Sequence, residues 1–218
     1  MDFLHTAMDF VFHIDKHLEA IIGHFGVWTY LLLFAIVFAE TGLIVTPFLP
    51  GDSLLFAVGV FAGHGDLNVL LVFVLLFLAA VIGDSVNYAA GKYFGEKIFT
   101  ERKSRFFKKE YLEKTHRFYE KYGAKTIVIA RFVPIVRTFA PFVAGAGAMK
   151  YLYFFTYNVL GGVLWVALFV FGGYFFGNMA FIKNNFSAVI FFIIIVSILL
   201  PLREILKAKR KKEPEAEP

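Results

Sequence analysis

The chain has 218 residues, of which 59% are hydrophobic and 19% aromatic, and its formal net charge is +5. A soluble domain of this length could not bury so much apolar surface, so the composition excludes a soluble globular protein. The chain has no cysteine, which excludes disulfide bonds, thiolate catalysis and cysteine-based metal sites.

The amino-terminal segment, residues 1–20, mixes acidic residues with apolar ones. A secretory signal peptide would start with basic residues and would lack these acids, so the pattern argues against one. The apolar positions recur at helical spacing, which predicts an amphipathic helix at the membrane interface.

Three long runs predict helices that cross a membrane, for which about 20 apolar residues suffice. Residues 67–91 contain one charge, Asp84, and residues 151–182 and 184–202 contain none. The runs predict an all-α, polytopic membrane protein in which residues 1–202 form a single membrane domain.

Basic residues set the predicted orientation. Residues 92–125 contain eleven Lys and Arg against five Glu, and the tail, residues 203–218, contains six against four. The positive-inside rule places both segments in the cytoplasm. If residues 27–39 also lead across the membrane, the amino terminus is cytoplasmic as well. Residues 92–125 also carry aromatic residues between the charges, which predicts an amphipathic helix on the membrane surface, whereas the tail is predicted to be disordered.

Two segments are too broken to cross the membrane as plain helices. The predicted orientation requires residues 126–149 to enter and leave the membrane on the cytoplasmic side. Residues 40–63 then form a second broken element on the outer side, so the sequence predicts two opposed re-entrant helical hairpins. The residues that interrupt them are Pro47, Pro50 and Gly51 in the first hairpin and Pro134 and Pro141 in the second.

A weak internal repeat accompanies this arrangement. At an offset of 91 residues, Glu40 aligns with Arg131, and four nearby positions are identical. Inverted repeats with broken helices that meet at the membrane midplane are a recurrent plan among transporters.

Charged residues inside the membrane are the candidate functional residues. The first hairpin carries Glu40 and Asp52, and the second carries Arg131 and Arg137. A charge at the bilayer centre costs on the order of 2.5–3.5 kcal/mol on insertion scales, so the acids are expected to pair with the arginines. The charges either hold the hairpins together or form a site in which the arginines bind an anion and the acids exchange protons.

Asp84, Asn87 and Asn158 are supporting candidates. Asp84 and Asn87 share one face of the predicted helix with Tyr88, and Asn158 lies beside glycines that would allow another helix to approach. Polar residues in such positions more often hold helices together than bind ligands. The sequence has no nucleophile–base pair and no metal-ligand set, so an enzyme, a metal site and a cofactor are not expected.

Three stretches carry a family resemblance. They are Glu40-Thr-Gly followed by PFLPGDSLL at 47–55, GDSVNYAAG at 83–91, and RFVPIVRTFAPFVAGAGAM at 131–149, with Asn158 beyond them. Over nearly its whole length the chain resembles the DedA family of bacterial inner-membrane proteins, which is similar in fold to the eukaryotic SNARE-associated (VTT) scramblase domain. The resemblance implies opposed re-entrant hairpins, amphipathic interfacial helices and a multi-pass protein of the bacterial inner membrane.

The resemblance also implies lipid translocation. Members are similar to flippases that move undecaprenyl phosphate or phosphatidylethanolamine, in several cases linked to the proton motive force. Arg131 and Arg137 are then expected to bind the lipid phosphate, and Glu40 and Asp52 to carry protons or act as counter-ions. The expected partners are a phosphate-bearing membrane lipid and protons, with no nucleic acid, and a homodimer is left open.

Two other classes of protein stay open at this point. A proton-coupled small-ion or drug antiporter would use the same carboxylates but gives the arginines no cargo. A structural or assembly factor would use the charges only to hold the hairpins together.

Overall fold

A computed structural model describes residues 22–43, 51–100, 125–147 and 149–180, together with 123, 182, 185, 186, 188–193 and 195. Its elements in chain order are α1 (Trp28–Gly42), α2 (Gly51–His64), α3 (Val69–Thr100), α4 (Lys125–Ala130), α5 (Pro134–Ala146) and α6 (Tyr151–Phe176). The described residues contain no β-strand, which confirms the all-α prediction. The predicted amino-terminal helix, Pro47, Pro50, most of the 92–125 loop and the 203–218 tail lie outside these residues.

Two of the helices are long enough and apolar enough to cross a bilayer. They are Val69–Phe94 within α3 and Tyr151–Phe176, which is α6, and each has 26 residues. Both coincide with spans predicted from the sequence, although α6 stops six residues short of the end of its uncharged run. Most of the third predicted span, residues 184–202, lies outside the described part of the chain.

One exposed stripe of α3 is apolar over about four turns. Leu70, Val74, Leu78, Ile82 and Val86 recur every four residues, and all five are exposed. A soluble protein would cover such a continuous apolar stripe, whereas the acyl chains of a bilayer solvate it. This surface supports a membrane location for the helix bundle.

Local sequence signals set several helix ends. The side-chain oxygen of Asn68 accepts hydrogen bonds from the N–H groups of Leu70 and Leu71 at 3.1 and 3.0 Å, which caps the start of α3. Gly65, with φ of +92°, allows the tight turn that precedes this cap. Pro134 stands at the start of α5, where a helix does not use the missing N–H.

One end of the bundle, called the Asn68 end, is marked by the turn between α2 and α3. The N–H of Asn68 donates to the hydroxyl of Tyr30, near the start of α1, at 2.8 Å. The amide of Asn178, just after α6, donates to the carbonyl of Gly63 at 3.0 Å. The start of α1 and the last turns of α2 and α6 therefore lie at the Asn68 end, while Glu40, near the finish of α1, contacts the first residue of α2.

The opposite end, called the Met149 end, joins the second half of α3 to the start of α6. The hydroxyl of Tyr88 donates to the carbonyl of Met149, and Ile127 of α4 belongs to a buried cluster with Tyr88 and Phe154. Gly145, near the end of α5, lies against the backbone of α3. The helix pairs α1–α2 and α4–α5 therefore approach the centre of the bundle from opposite ends.

Glycines allow α2 to pack closely on α6, and α5 to pack closely on α3. Gly59 and Gly173 join α2 to α6, and Gly91 and Gly145 join α3 to α5. A Cβ on any of the four would collide with a backbone carbonyl of the facing helix. Glycine thus permits backbone-to-backbone packing at both contacts, as small residues do between helices in membranes.

A buried charge cluster as the candidate functional site

Arg137, on α5, lies between two carboxylates at the centre of the bundle. Its Nη2 is 2.6 Å from Oε1 of Glu40, and its Nη1 is 3.0 Å from Oδ1 of Asp52. The side chains of Arg137, Glu40 and Asp52 are 7%, 4% and 12% exposed, so solvent ions screen these pairs little. The sequence analysis predicted that acids of the first hairpin would meet arginines of the second, and Arg137 makes both of those contacts.

Gly51 allows α2 to start directly against Glu40. The N–H of Gly51 donates to Oε1 of Glu40 at 3.1 Å. A Cβ at position 51 would overlap the carboxylate, so any other residue would force the acid away. The Gly51-Asp52 pair therefore places both acids near Arg137, one in front of α2 and one in its first turn.

Arg131 lies in the break between α4 and α5 and forms a second group of contacts. Its Nη2 contacts a carboxylate oxygen of Asp84, on α3, and the amide oxygen of Asn158, on α6. Asn158 is itself held by α3, because its amide donates to the carbonyl of Val81 at 3.0 Å. The nearby Gly161 gives Arg131 room, since a Cβ there would lie 3.2 Å from the Cδ of the arginine. Asp84 and Asn158, which sequence analysis ranked as supporting residues, are thus the direct partners of Arg131.

Arg131 has hydrogen-bonding capacity that the described residues do not use. Its Nε and Nη1 are buried and have no hydrogen-bond partner in the described part of the chain. A buried guanidinium normally satisfies most of its five N–H donors, because an unpaired buried donor costs free energy. Nη2 of Arg137 also lacks a hydrogen bond, but it lies 2.6 Å from Oε1 of Glu40. Arg137 therefore pairs with two acids, whereas Arg131 keeps two donors available.

Asn87 fixes the backbone around the charges instead of contacting them. Its amide donates to the carbonyls of Thr41 and Thr138, at 3.2 and 2.8 Å. These carbonyls belong to the end of α1 and to α5, so one side chain of α3 joins both helix pairs. Asn87 is fully buried, as are Asp84 and Tyr88 on the same face of α3, which confirms their predicted shared face.

Trp165, on α6, belongs to the cluster although sequence analysis did not identify it. Its indole Nε1 donates to Oδ1 of Asp52 at 2.8 Å. Its ring lies 4.5 Å from the guanidinium carbon of Arg137 and 5.9 Å from that of Arg131. In the sequence it is one aromatic residue in a long uncharged run, and no local signal distinguishes it from a lipid-facing residue.

The cluster carries a net negative charge and encloses little space. Glu40, Asp52 and Asp84 with the two arginines sum to a formal charge of −1 when all five are ionised. The enclosed cavity has a volume of about 10 Å³, which is on the scale of one water molecule. A phosphate group is larger than that, so the ion pairs must separate before one can bind. The cavity is lined by Thr41, Asp84, Arg131, Arg137 and Trp165.

Of the four prolines predicted to interrupt the helices, the structure describes two. Pro134 starts α5, and Pro141 lies inside α5 one turn beyond Arg137, without ending the helix. Pro47 and Pro50 fall outside the described residues. Among the residues that the structure describes, no three His, Asp or Glu side chains are grouped so that they could hold a metal ion.

Long apolar helices around buried ion pairs define a helical membrane protein whose charged side chains meet at the centre of its bundle. The VTT domain family model matches residues 49–175, which is more than half of the chain. Protein DedA of Escherichia coli K12 is 54% identical over 212 residues, which cover 96% of this chain and 97% of that protein. The chain therefore belongs to the DedA family.

More distant relatives extend the similarity. The membrane protein Rv0364 of Mycobacterium tuberculosis H37Rv is 41% identical over 187 residues, which cover 84% of this chain and 82% of that protein. The inner membrane protein YqjA of E. coli K12 is 34% identical over 149 residues, which cover 68% of each chain. No solved structure matches.

Proposed function

We propose that the protein is a transporter, not an enzyme, and that it moves a phosphate-bearing lipid across the bacterial inner membrane in a proton-linked reaction. The substrate class is a polyprenyl phosphate such as undecaprenyl phosphate, or a phospholipid such as phosphatidylethanolamine. The observation that carries the proposal is the position of Arg137 between Glu40 and Asp52, buried where the two helix pairs meet.

Arginine suits a lipid phosphate because its planar group binds two oxygens at once and stays charged when it is dehydrated. Arg131 has buried donors without a partner among the described residues, so it makes the first contact with the incoming phosphate. Arg137 makes the second contact, because the phosphate must first displace Glu40 and Asp52 from it. The acyl or prenyl chains stay in the lipid while the headgroup passes between the helix pairs.

Charge balance links this exchange to protons. The cluster already has a formal charge of −1, and an anionic headgroup would make it more negative in a buried site where unpaired charge is costly. Protonation of the displaced Glu40 and Asp52 would offset that change. Phosphate entry and proton uptake therefore favour each other, which supports coupling to the proton motive force.

The route that we propose is formed by two opposed re-entrant hairpins related as an inverted repeat. Three features support it. The pair α1–α2 starts from the Asn68 end, and the pair α4–α5 starts from the Met149 end. In addition, α2 packs on α6 and α5 packs on α3, so the two pairs make equivalent contacts. The end of α1, the start of α2 and the break between α4 and α5 lie at the charged residues, as the broken helices of inverted-repeat transporters do. With both termini in the cytoplasm, the Asn68 end faces outward.

Reconstitution into proteoliposomes tests the proposal. Vesicles containing a labelled polyprenyl phosphate or labelled phosphatidylethanolamine should show protein-dependent movement of one of these lipids, and an imposed pH gradient should change its rate. Arg137→Gln should abolish the movement, whereas Tyr88→Phe, which removes only a hydrogen bond to the Met149 carbonyl, should retain it.

The proposal fails if neither lipid moves faster in vesicles that contain the folded protein. Proton movement driven by Na⁺ or K⁺ without any lipid dependence would favour the small-ion antiporter instead. Transport that persists in Arg137→Gln would show that the arginine is not the phosphate ligand.

A further inference from the structure

We infer that Trp165 is a positioning residue that retains Asp52 when Arg137 exchanges that acid for a substrate phosphate. This inference rests on the proposed function. Oδ1 of Asp52 accepts two hydrogen bonds, one from Nη1 of Arg137 at 3.0 Å and one from Nε1 of Trp165 at 2.8 Å. Only the first has to break when a phosphate takes the arginine.

The indole suits this role chemically. Its N–H is a donor with no acceptor capacity, and it carries no charge, so it neither competes for a proton nor repels the arginines. Trp165 is 1% exposed, so a freed N–H would have no solvent to bond, and Asp52 is its acceptor. The bond therefore persists while Arg137 is engaged elsewhere.

The second acid has an equivalent neutral donor. Oε1 of Glu40 accepts the N–H of Gly51 at 3.1 Å and also contacts Nη2 of Arg137. Oε1 of Glu40 and Oδ1 of Asp52 thus each lie against a nitrogen of Arg137 and each accept a hydrogen bond from a neutral N–H. The neutral donors keep both acids in place, so Arg137 can recover them after the lipid has left.

The ring of Trp165 adds a second contact with the site. Both guanidinium groups lie within about 6 Å of the ring centroid, the range in which a cation is attracted to an aromatic face. Trp165 therefore contacts one acid and both arginines directly. The two arginines in turn pair with Glu40 and Asp84. A change at either arginine alters the surroundings of the indole.

Fluorescence reads this change directly, because the chain has only two tryptophans. Trp28 is 70% exposed on α1, away from the cluster, so Trp28→Phe leaves Trp165 as the only tryptophan, which can be excited selectively over the tyrosines. In phosphatidylcholine nanodiscs, adding a polyprenyl phosphate should change the emission of this variant. The matched Trp165→Phe variant retains only Trp28, and its emission should stay constant.

Transport kinetics separate positioning from packing. Trp165→Phe keeps an aromatic ring against the arginines but removes the N–H. It should raise the lipid concentration for half-maximal rate by about tenfold or more, because in the phosphate-bound state Asp52 has then lost both Arg137 and the indole N–H as donors. In the lipid-free state Arg137 still holds Asp52, so the loss in the free energy of unfolding should be smaller than the loss in lipid binding. Asp52→Asn removes the negative charge to which the indole N–H donates. In that background, Trp165→Phe should raise the half-maximal lipid concentration by a clearly smaller factor.

Each outcome decides a different point. If the wild type moves neither lipid, the proposed function fails. Two other results would overturn the inference and leave Trp165 as only a packing residue. In the first, the wild type and Trp28→Phe move a lipid but the Trp165 emission stays constant. In the second, Trp165→Phe reduces transport equally with Asp or Asn at position 52.

Discussion

Removing Arg137 alone should destabilise the protein, and removing its acids together with it should restore much of the loss. Arg137→Gln leaves Glu40 and Asp52 buried with no cation between them. At the observed distances of 2.6 and 3.0 Å, each pair attracts by about 5–6 kcal/mol at an effective dielectric constant near 20. Part of that attraction offsets desolvation, so breaking the buried pairs should lower the free energy of unfolding by about 3–5 kcal/mol.

The triple variant Glu40→Gln, Asp52→Asn, Arg137→Gln removes all three charges. The two acids keep their size, and position 137 has the same smaller side chain as in Arg137→Gln, so the two variants differ only in the charges of the acids. The new amide oxygens can still accept the N–H of Gly51 and the indole N–H of Trp165. Neutral replacement of a buried ion pair is often close to neutral for stability, so this variant should recover most of the loss. It should nevertheless show no lipid transport, because Arg131 alone remains to bind the phosphate and the acids at positions 40 and 52 are no longer there to exchange for it.

The assay is equilibrium unfolding in mixed micelles with a denaturing detergent, followed by the loss of helical circular dichroism. Lipid transport by the same preparations provides the second readout. If the triple variant is as unstable as Arg137→Gln, uncompensated charge is not the cause of the loss. If the triple variant is stable and transports lipid, the charges serve only to hold the helices together, as the structural alternative requires.

Two further substitutions test the packing around the cluster. Gly173→Ala should lower the free energy of unfolding by about 1–3 kcal/mol, because its Cβ would meet the carbonyl of Phe56. Gly172 faces open space, so the control Gly172→Ala should leave the unfolding midpoint unchanged or raise it. Equal midpoints for the two variants would contradict the backbone contact. Asn158→Leu removes the amide that contacts Arg131, so it should reduce lipid transport even in the fraction of protein that remains folded. Unchanged transport kinetics would refute a role for that contact.

The meeting of Glu40 and Asp52 with Arg137 could be predicted from the sequence. Charges are rare inside membrane segments, and those of Glu40, Asp52 and Arg137 stand beside prolines and glycines that interrupt apolar runs. Both signals are local, and the cost of an unpaired charge in the bilayer makes pairing the expected outcome. The opposite signs of the two segments then identify the partners.

The partner of Arg131 could not be predicted in the same way. Asp84 is the only charge between residues 67 and 91, and its spacing indicates the face that it shares with Asn87 and Tyr88, but not which other helices that face packs against. That packing is set by tertiary contacts through Gly91 and the helices beside it. Trp165 was still harder to predict, because its role depends on Asp52 of α2, Arg137 of α5 and Arg131 of the α4–α5 break, none of which is near it in the sequence.

The hydrogen bond from Gly51 to Glu40 has a consequence for the helix that starts there. A helix leaves N–H groups unpaired at its amino terminus, and its dipole places partial positive charge at the same point. Glu40 is therefore the cap of α2, supplied by a different helix, as well as the partner of Arg137. Neutralising this carboxylate weakens both interactions at once, so a proton arriving at Glu40 acts on the backbone of α2 with no intermediate side chain.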